Sequence, residues 1–242
     1  MPVVILACQA AGSSNRGISM TDHVAAYRGI RDRVTQLTAP LADEAADRLA
    51  PATPEWRIRD LLAHLTGVEI DVLAGNLEGA GTDPWTEAQV APRRHRSVEE
   101  VLTEWHESAA AFDELIPAIP DSPRSQLIFD AMTHEFDIRG ALDIPGARDE
   151  ESTAIGFGWA ADIVGMMRDG ADAGALCLRT EFGDTVVGAG EVTATVAADR
   201  FELFRAMTGR RCPEQIAAFR WDGPVAVEHL AFLGGRTTPL VE

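Results

Sequence analysis

The sequence predicts an α+β protein, with a four-helix bundle over residues 20–147 and a smaller α+β domain over residues 148–242. Two observations carry this. Up to Leu142, apolar residues recur every three to four positions in long segments separated by Pro- and Gly-rich loops. Beyond about residue 175 the period shortens to two and short alternating runs take over. A chain of 242 residues can bury either one large core or two modest ones, so patterning rather than length makes the division.

In the first helix Val24, Tyr27, Ile30, Val34 and Leu37 recur at helical spacing behind a Thr21-Asp22 N-cap, and Pro40 forbids continuation. Residues 39–53 read as a loop. Thr53-Pro54-Glu55 offers a cap, a first-turn proline and a dipole-favoured acid, so the second helix is expected to start there. Its stripe is Ile58, Leu61, Leu65, Val68 and Val72, ended by Gly75 or Gly79. A loop over residues 79–96 leads to the Ser97-Val98-Glu99-Glu100 capping box of the third helix, which carries Leu102, Trp105, Ala109 and Phe112. Pro117, Pro120 and Pro123 separate it from a fourth helix, Ser125 to Leu142, apolar on two sides.

The second domain is expected to open with a helix through Ile155, Trp159, Ile163 and Met166. Strands follow at Leu176 to Phe182, Thr185 to Gly188 and Glu191 to Ala197. A helix from Asp199 to Met207, closed by Thr208-Gly209, precedes short helices at Pro213 and near Val227 to Leu233.

Composition narrows the function. The apolar share of 46% and charged share of 24% are those of a folded globular protein. Against 38 Asp plus Glu stand 21 Lys plus Arg, a net charge of −17, which repels nucleic acid and anionic membrane surfaces. An anionic substrate such as a carboxylate then needs a local arginine. Cys8, Cys177 and Cys212 match neither a disulfide framework nor a metal pattern, which suits a reducing cytoplasm. No apolar run approaches the ~20 residues that span a bilayer. Residues 1–19 read as a flexible extension, because the apolar stretch Val3 to Ala7 lacks a basic flank and is too short for a signal peptide. The oligomeric state is left open.

Three residues stand out as metal ligands. Asp130 and His134 are four apart on the fourth helix and share one face, with Asp137 nearly a turn further along. His64 occupies the matching shoulder of the second helix, so antiparallel packing brings it opposite His134. Two imidazoles and a carboxylate suit Zn²⁺ first, with Fe²⁺, Ni²⁺ or Mn²⁺ as alternatives, and leave a coordination position open. Set against this is the plainer reading of separate core-edge histidines and a solvated acid. His23, His95, His106 and His229 have no partner pattern and read as surface or helix-flank residues. Thr208-Gly209-Arg210-Arg211 places guanidinium groups past a helix end, either to fork a carboxylate or to answer the helix dipole. No nucleophile elbow, P-loop or dinucleotide fingerprint is present.

Thr53-Pro54-Glu55-Trp56-Arg57-Ile58-Arg59-Asp60-Leu61-Leu62-Ala63-His64-Leu65 and Asp130-Ala131-Met132-Thr133-His134-Glu135-Phe136-Asp137-Ile138 resemble the metal-bearing helices of the mycothiol-dependent maleylpyruvate isomerase family. That family's N-terminal domain is a DinB-like four-helix metalloprotein. It usually has Glu where this chain has Asp130, one methylene longer. The resemblance extends more weakly through residues 20–235. It implies a metal held by His64, Asp130 and His134, Asp137 orienting a ligand from behind, and Arg210 meeting the substrate. It also implies mycothiol, or another low-molecular-weight thiol, whose thiolate adds to a cis-alkene conjugated with a carbonyl, so that rotation and elimination give the trans isomer.

The expected function is therefore a metal- and mycothiol-dependent isomerase, or a related thiol transferase, acting on a small molecule. Two alternatives remain at this level: a non-catalytic, metal-stapled small-molecule-binding protein, and a metal-dependent hydrolase with Asp137 or Glu135 as base.

Overall fold

The computed structural model describes residues 20–242. The expected extension over residues 1–19, with Cys8, lies outside the described residues. The chain divides into two compact units, one ending at Pro145 and the other spanning Gly146–Glu242.

The first unit runs α1 (Met20–Thr38), α2 (Asp43–Ala46), β1 (Leu49–Ala50), β2 (Thr53–Arg57), α3 (Ile58–Ala74), α4 (Asp83–Val90), α5 (Val98–Leu115), a 3₁₀ turn (Ile116–Ala118) and α6 (Asp121–Leu142). The four long helices close a bundle: α1 packs on α5 and α6, and α3 packs on the same two. Their apolar stripes supply the core, with Tyr27, Ile30, Leu61, Leu65, Trp105 and Phe112 almost fully buried. The capping box of α5 forms as the sequence reads, Glu100 N–H donating to Ser97 Oγ at 3.2 Å and Ser97 N–H to the Glu100 carboxylate at 2.7 Å. Gly75 closes α3 in the left-handed conformation.

Three expectations are corrected here. Thr53-Pro54-Glu55 does not begin a helix. It forms β2, paired antiparallel with β1 through Ala50↔Thr53 and Leu49↔Arg57. A two-stranded edge tolerates Pro54, which has no N–H to donate. The helix starts later because Asp60 accepts the Arg57 backbone N–H at 3.0 Å and grips its guanidinium at 2.8 and 2.9 Å. Secondly, the two stretches read as loops contain α2 and α4. Thirdly, α6 starts at Asp121 and takes Pro123 into its first turn, where a missing N–H matters little. From Ala131 to Ile138 every residue of α6 is buried.

The second unit runs α7 (Glu151–Gly170), β3 (Ala175–Thr180), β4 (Gly183–Val187), β5 (Val192–Ala197), α8 (Arg200–Met207), α9 (Pro213–Ala217), β6 (Arg220–Asp222) and a 3₁₀ turn (Val227–His229). The sheet order is β4-β3-β5-β6, with β3 parallel to β5 and the outer pairings antiparallel. Helix α7 packs on β3, β4 and α8. The sequence reading contains no β6, and the helix expected near Val227 to Leu233 is only a 3₁₀ turn.

Gly209, just past α8, has φ +75, and a Cβ there would come within 2.5 Å of the Gly234 carbonyl oxygen. Gly209→Ala is expected to destabilise this unit by about 1–3 kcal/mol, read as a lower thermal midpoint. An unchanged midpoint would show that the turn relaxes freely. Among the described residues no helix is long and apolar enough to cross a membrane.

Candidate metal centre

Packing of α3 against α6 brings His64 to the face that carries Asp130 and His134. One ligand-capable atom from each of the three lies within 4.8 Å of the others. The His64 Nε2 atom is 3.4 Å from Asp130 Oδ2, and His134 Nε2 is 3.7 Å from Asp130 Oδ1. Both imidazoles are buried, at 4% and 9% exposure, whereas the Asp130 side chain keeps 32%, so the cluster opens on its carboxylate side. The rings meet edge to face, with centroids 4.9 Å apart.

Each Nδ1 faces a partner on its other side. His134 Nδ1 lies 3.1 Å from Asp137 Oδ2, and Asp137 is fully buried. His64 Nδ1 lies 2.8 Å from Gln89 Oε1 on α4. With acceptors on the Nδ1 atoms, the Nε2 lone pairs are left for the cluster, as imidazole ligation of a metal requires. Two imidazole nitrogens and a carboxylate oxygen form a donor set that fits a first-row divalent ion.

Trp56, at the end of β2, covers the histidines. Its ring stacks on His134 at 5.7 Å and 18°, and meets His64 edge-on at 5.3 Å. The displaced helix start thus matters to the site, since an extended segment delivers Trp56 here. Trp56 also lines a half-open cavity of about 450 Å³ with Leu49, Arg57, Asp60, Val90 and Arg94. Beneath the centre, burial pushes the Tyr27 hydroxyl well up. The Glu69 and Asp130 charges add to this, and Arg31 opposes it.

Not every residue singled out from the sequence belongs to this cluster. Arg210 lies in the second unit, where its Nη1 donates to the Thr208 carbonyl at 2.6 Å. Arg211 is buried and committed to the chain's own acids, donating to both Glu202 oxygens at 2.7 and 2.8 Å and to Glu242 at 3.1 Å. It is therefore no ligand fork. His23 is buried rather than a surface residue, with Nε2 3.1 Å from Ser125 Oγ. Gln89 was not visible from the sequence, because it sits in a stretch that reads as loop.

Residues 27–142 match the family model of the mycothiol maleylpyruvate isomerase N-terminal domain. The match lies within the first unit. The matched residues include α3 and α6, the helices that carry His64, Asp130 and His134. Among solved structures, the chain is similar to the crystal structure of the mycothiol-dependent maleylpyruvate isomerase, with TM-score 0.54 and 15% identity. It is also similar to an alanine-substituted variant of that enzyme, with TM-score 0.56 and 13% identity. Each match covers 80% of this chain and 90% of the other. At such identities the likeness is one of fold, and it reaches across both units. No curated protein matches by sequence.

Proposed function

We propose that this protein is a metal-dependent enzyme that uses a low-molecular-weight thiol, mycothiol being the first candidate, on a small molecule with an activated alkene. The proposed reaction is cis-trans isomerisation of a maleylpyruvate-like substrate or, in a related form, transfer of the thiol to it. The observation that carries this reading is the convergence of two buried imidazoles on a partly exposed carboxylate within the stretch that matches this family's model.

His64, Asp130 and His134 would hold the ion, with Zn²⁺ first. Such an ion supplies a lowered pKa for a thiol, making thiolate available near neutral pH. Asp137 holds the His134 ring by its Nδ1, and Trp56 keeps bulk water off both imidazoles. The exposed edge of Asp130 is the side from which a ligand reaches the cluster. Residues 20–145 contain no cysteine, so the sulfur comes from outside the domain. Arg210 is assigned to the substrate carboxylate, as the family resemblance implies. In the isomerisation, the sulfur adds to one alkene carbon and a proton reaches its neighbour. Rotation about the resulting single bond and elimination of the thiol then return the alkene as the trans isomer, with nothing consumed.

The test is turnover of a cis-alkene conjugated with a carbonyl by the metal-loaded full chain, with and without mycothiol. Thiol-dependent isomerisation or loss of free thiol is expected, falling to background in metal-stripped protein. Turnover that ignores the thiol would point instead to hydrolysis. Inactivity with every thiol, together with a sharp fall in melting temperature on stripping, would make the metal a structural staple.

A further inference from the structure

We propose that helix α4 is a positioning arm for His64, acting through Gln89; the inference rests on the metal reading above but concerns residues that reading does not use. Gln89 is 2% exposed and makes two side-chain contacts in opposite directions. Its Nε2 donates to Asp71 Oδ2 at 2.8 Å, and its Oε1 faces His64 Nδ1 at 2.8 Å. An ionised carboxylate only accepts, so Asp71 fixes which end of the amide is NH₂. The other end is then a carbonyl oxygen, which also only accepts. The His64 Nδ1 must carry the proton, and Nε2 is aimed at Asp130.

The arm is braced at several points. Asn76 Nδ2 donates to the second Asp71 oxygen at 2.9 Å, which holds the carboxylate that holds the amide. At the far end of α4, Arg93 donates to the Gln89 carbonyl at 2.8 Å and to Glu104 on α5 at 2.9 Å. On α3 itself, Gly67 lies directly beneath Gln89. A Cβ at Gly67 would come within 2.4 Å of the Gln89 Cβ and 2.7 Å of its Cγ. A glycine in mid-helix costs about 1 kcal/mol relative to alanine. Here it lets α4 come close enough for a side chain of glutamine length to reach the ring. The two histidines are thus oriented differently, His134 by a carboxylate on its own helix and His64 by an amide from another.

A positioning role differs from simple packing in what it moves. Gln89→Met keeps length and apolar bulk but removes the acceptor, whereas Gln89→Glu combined with Asp71→Asn keeps an acceptor for His64 and gives the new carboxylate an amide to accept from. In the metal-free full chain, the His64 Nδ1–H proton is expected as a protected, downfield signal in ¹⁵N-edited spectra of the wild type and of the Gln89→Glu, Asp71→Asn double variant. In Gln89→Met it is expected to move upfield and exchange with solvent. Zn²⁺ affinity, measured by competition with a chromophoric chelator, is expected to fall about 10–100-fold in Gln89→Met and to stay within a few-fold of wild type in the double variant. Gly67→Ala, which pushes α4 outward, should reproduce the methionine phenotype. An unchanged Nδ1–H signal and Zn²⁺ affinity within twofold in Gln89→Met would overturn the proposal and leave Gln89 as packing. If the wild type binds no Zn²⁺, the metal reading fails by itself, and the metal-free spectrum still decides whether Gln89 orients His64.

Discussion

Replacing either His64 or His134 with alanine is expected to weaken Zn²⁺ binding by about a hundred- to a thousandfold. The magnitude follows from dividing the ~10–16 kcal/mol of a four-ligand zinc site among its ligands, which gives about 2.5–4 kcal/mol for each. Both rings are buried, so neither is easily replaced by a solvent ligand without opening the bundle around it. Asp130→Ala should cost less, because its side chain is partly exposed and water can take its place. The full chain, titrated with Zn²⁺ against a chelator of known affinity, measures all three. The helical circular dichroism of the alanine variants should match the wild type, since the rings sit at the rim of the apolar stripe rather than within it. A histidine variant that binds Zn²⁺ within threefold of wild type would remove that residue from the ligand set.

The largest expected effect on stability lies behind this face, at Glu69 of α3. Glu69 is fully buried and accepts from three donors on two other helices, Arg31 of α1 at 3.1 Å and, on α5, Trp105 Nε1 at 2.8 Å and Ser108 Oγ at 2.7 Å. Arg31 is itself buried and also reaches Asp113 at 3.2 Å. Removing one member strands the others out of water, at a cost of about 3–5 kcal/mol. Glu69→Ala is therefore expected to lower the thermal midpoint by roughly 10–15 °C. Glu69→Gln, whose carbonyl still accepts from Trp105, should lose clearly less. A fall of under 3 °C in the alanine variant would mean that the donors find other partners. The pH dependence separates this group from Asp60, which is also buried. Burial pushes the Glu69 carboxyl up, against Arg31, Ser108 and Trp105, so its raised folded pKa gives no loss of stability as pH falls. Asp60 behaves oppositely. Burial raises it, but the Arg57 hydrogen bonds and charge outweigh this and hold its carboxyl below the usual range. Its contribution is present above the unfolded carboxylate pKa and is lost as pH falls through the lowered folded value.

The four long helices were legible because each carries an apolar stripe long enough to reveal its period, and Ser97 with Glu100 marks one start unambiguously. The short elements were not. Helices α2 and α4 have four and eight residues, too few for a stripe to stand out from loop composition. Thr53-Pro54-Glu55 carries a helix-start signal that also suits an edge strand, and Arg57 with Asp60 decides the matter through side chains three residues apart. At the candidate site, the four-residue spacing gave the Asp130–His134 pair directly. Opposing His64 to it required only that two amphipathic helices pack. Gln89 reaches His64 from 25 residues away through a helix the sequence hides, and Arg211 is taken up by Glu202 and Glu242, which no local pattern reveals. The only sequence trace of the α4 arm is Gly67, a glycine at the centre of an otherwise strong helix.

The central claim is that His64 and His134 together with Asp130 form a divalent-metal ligand set. X-ray absorption at the zinc edge of the Zn²⁺-loaded full chain tests it most directly, because imidazole rings give a distinctive outer-sphere scattering pattern. The account predicts two imidazoles among light-atom ligands in the wild type and one in His64→Ala. A wild-type spectrum without imidazole scattering, or one that His64→Ala leaves unchanged, would contradict it.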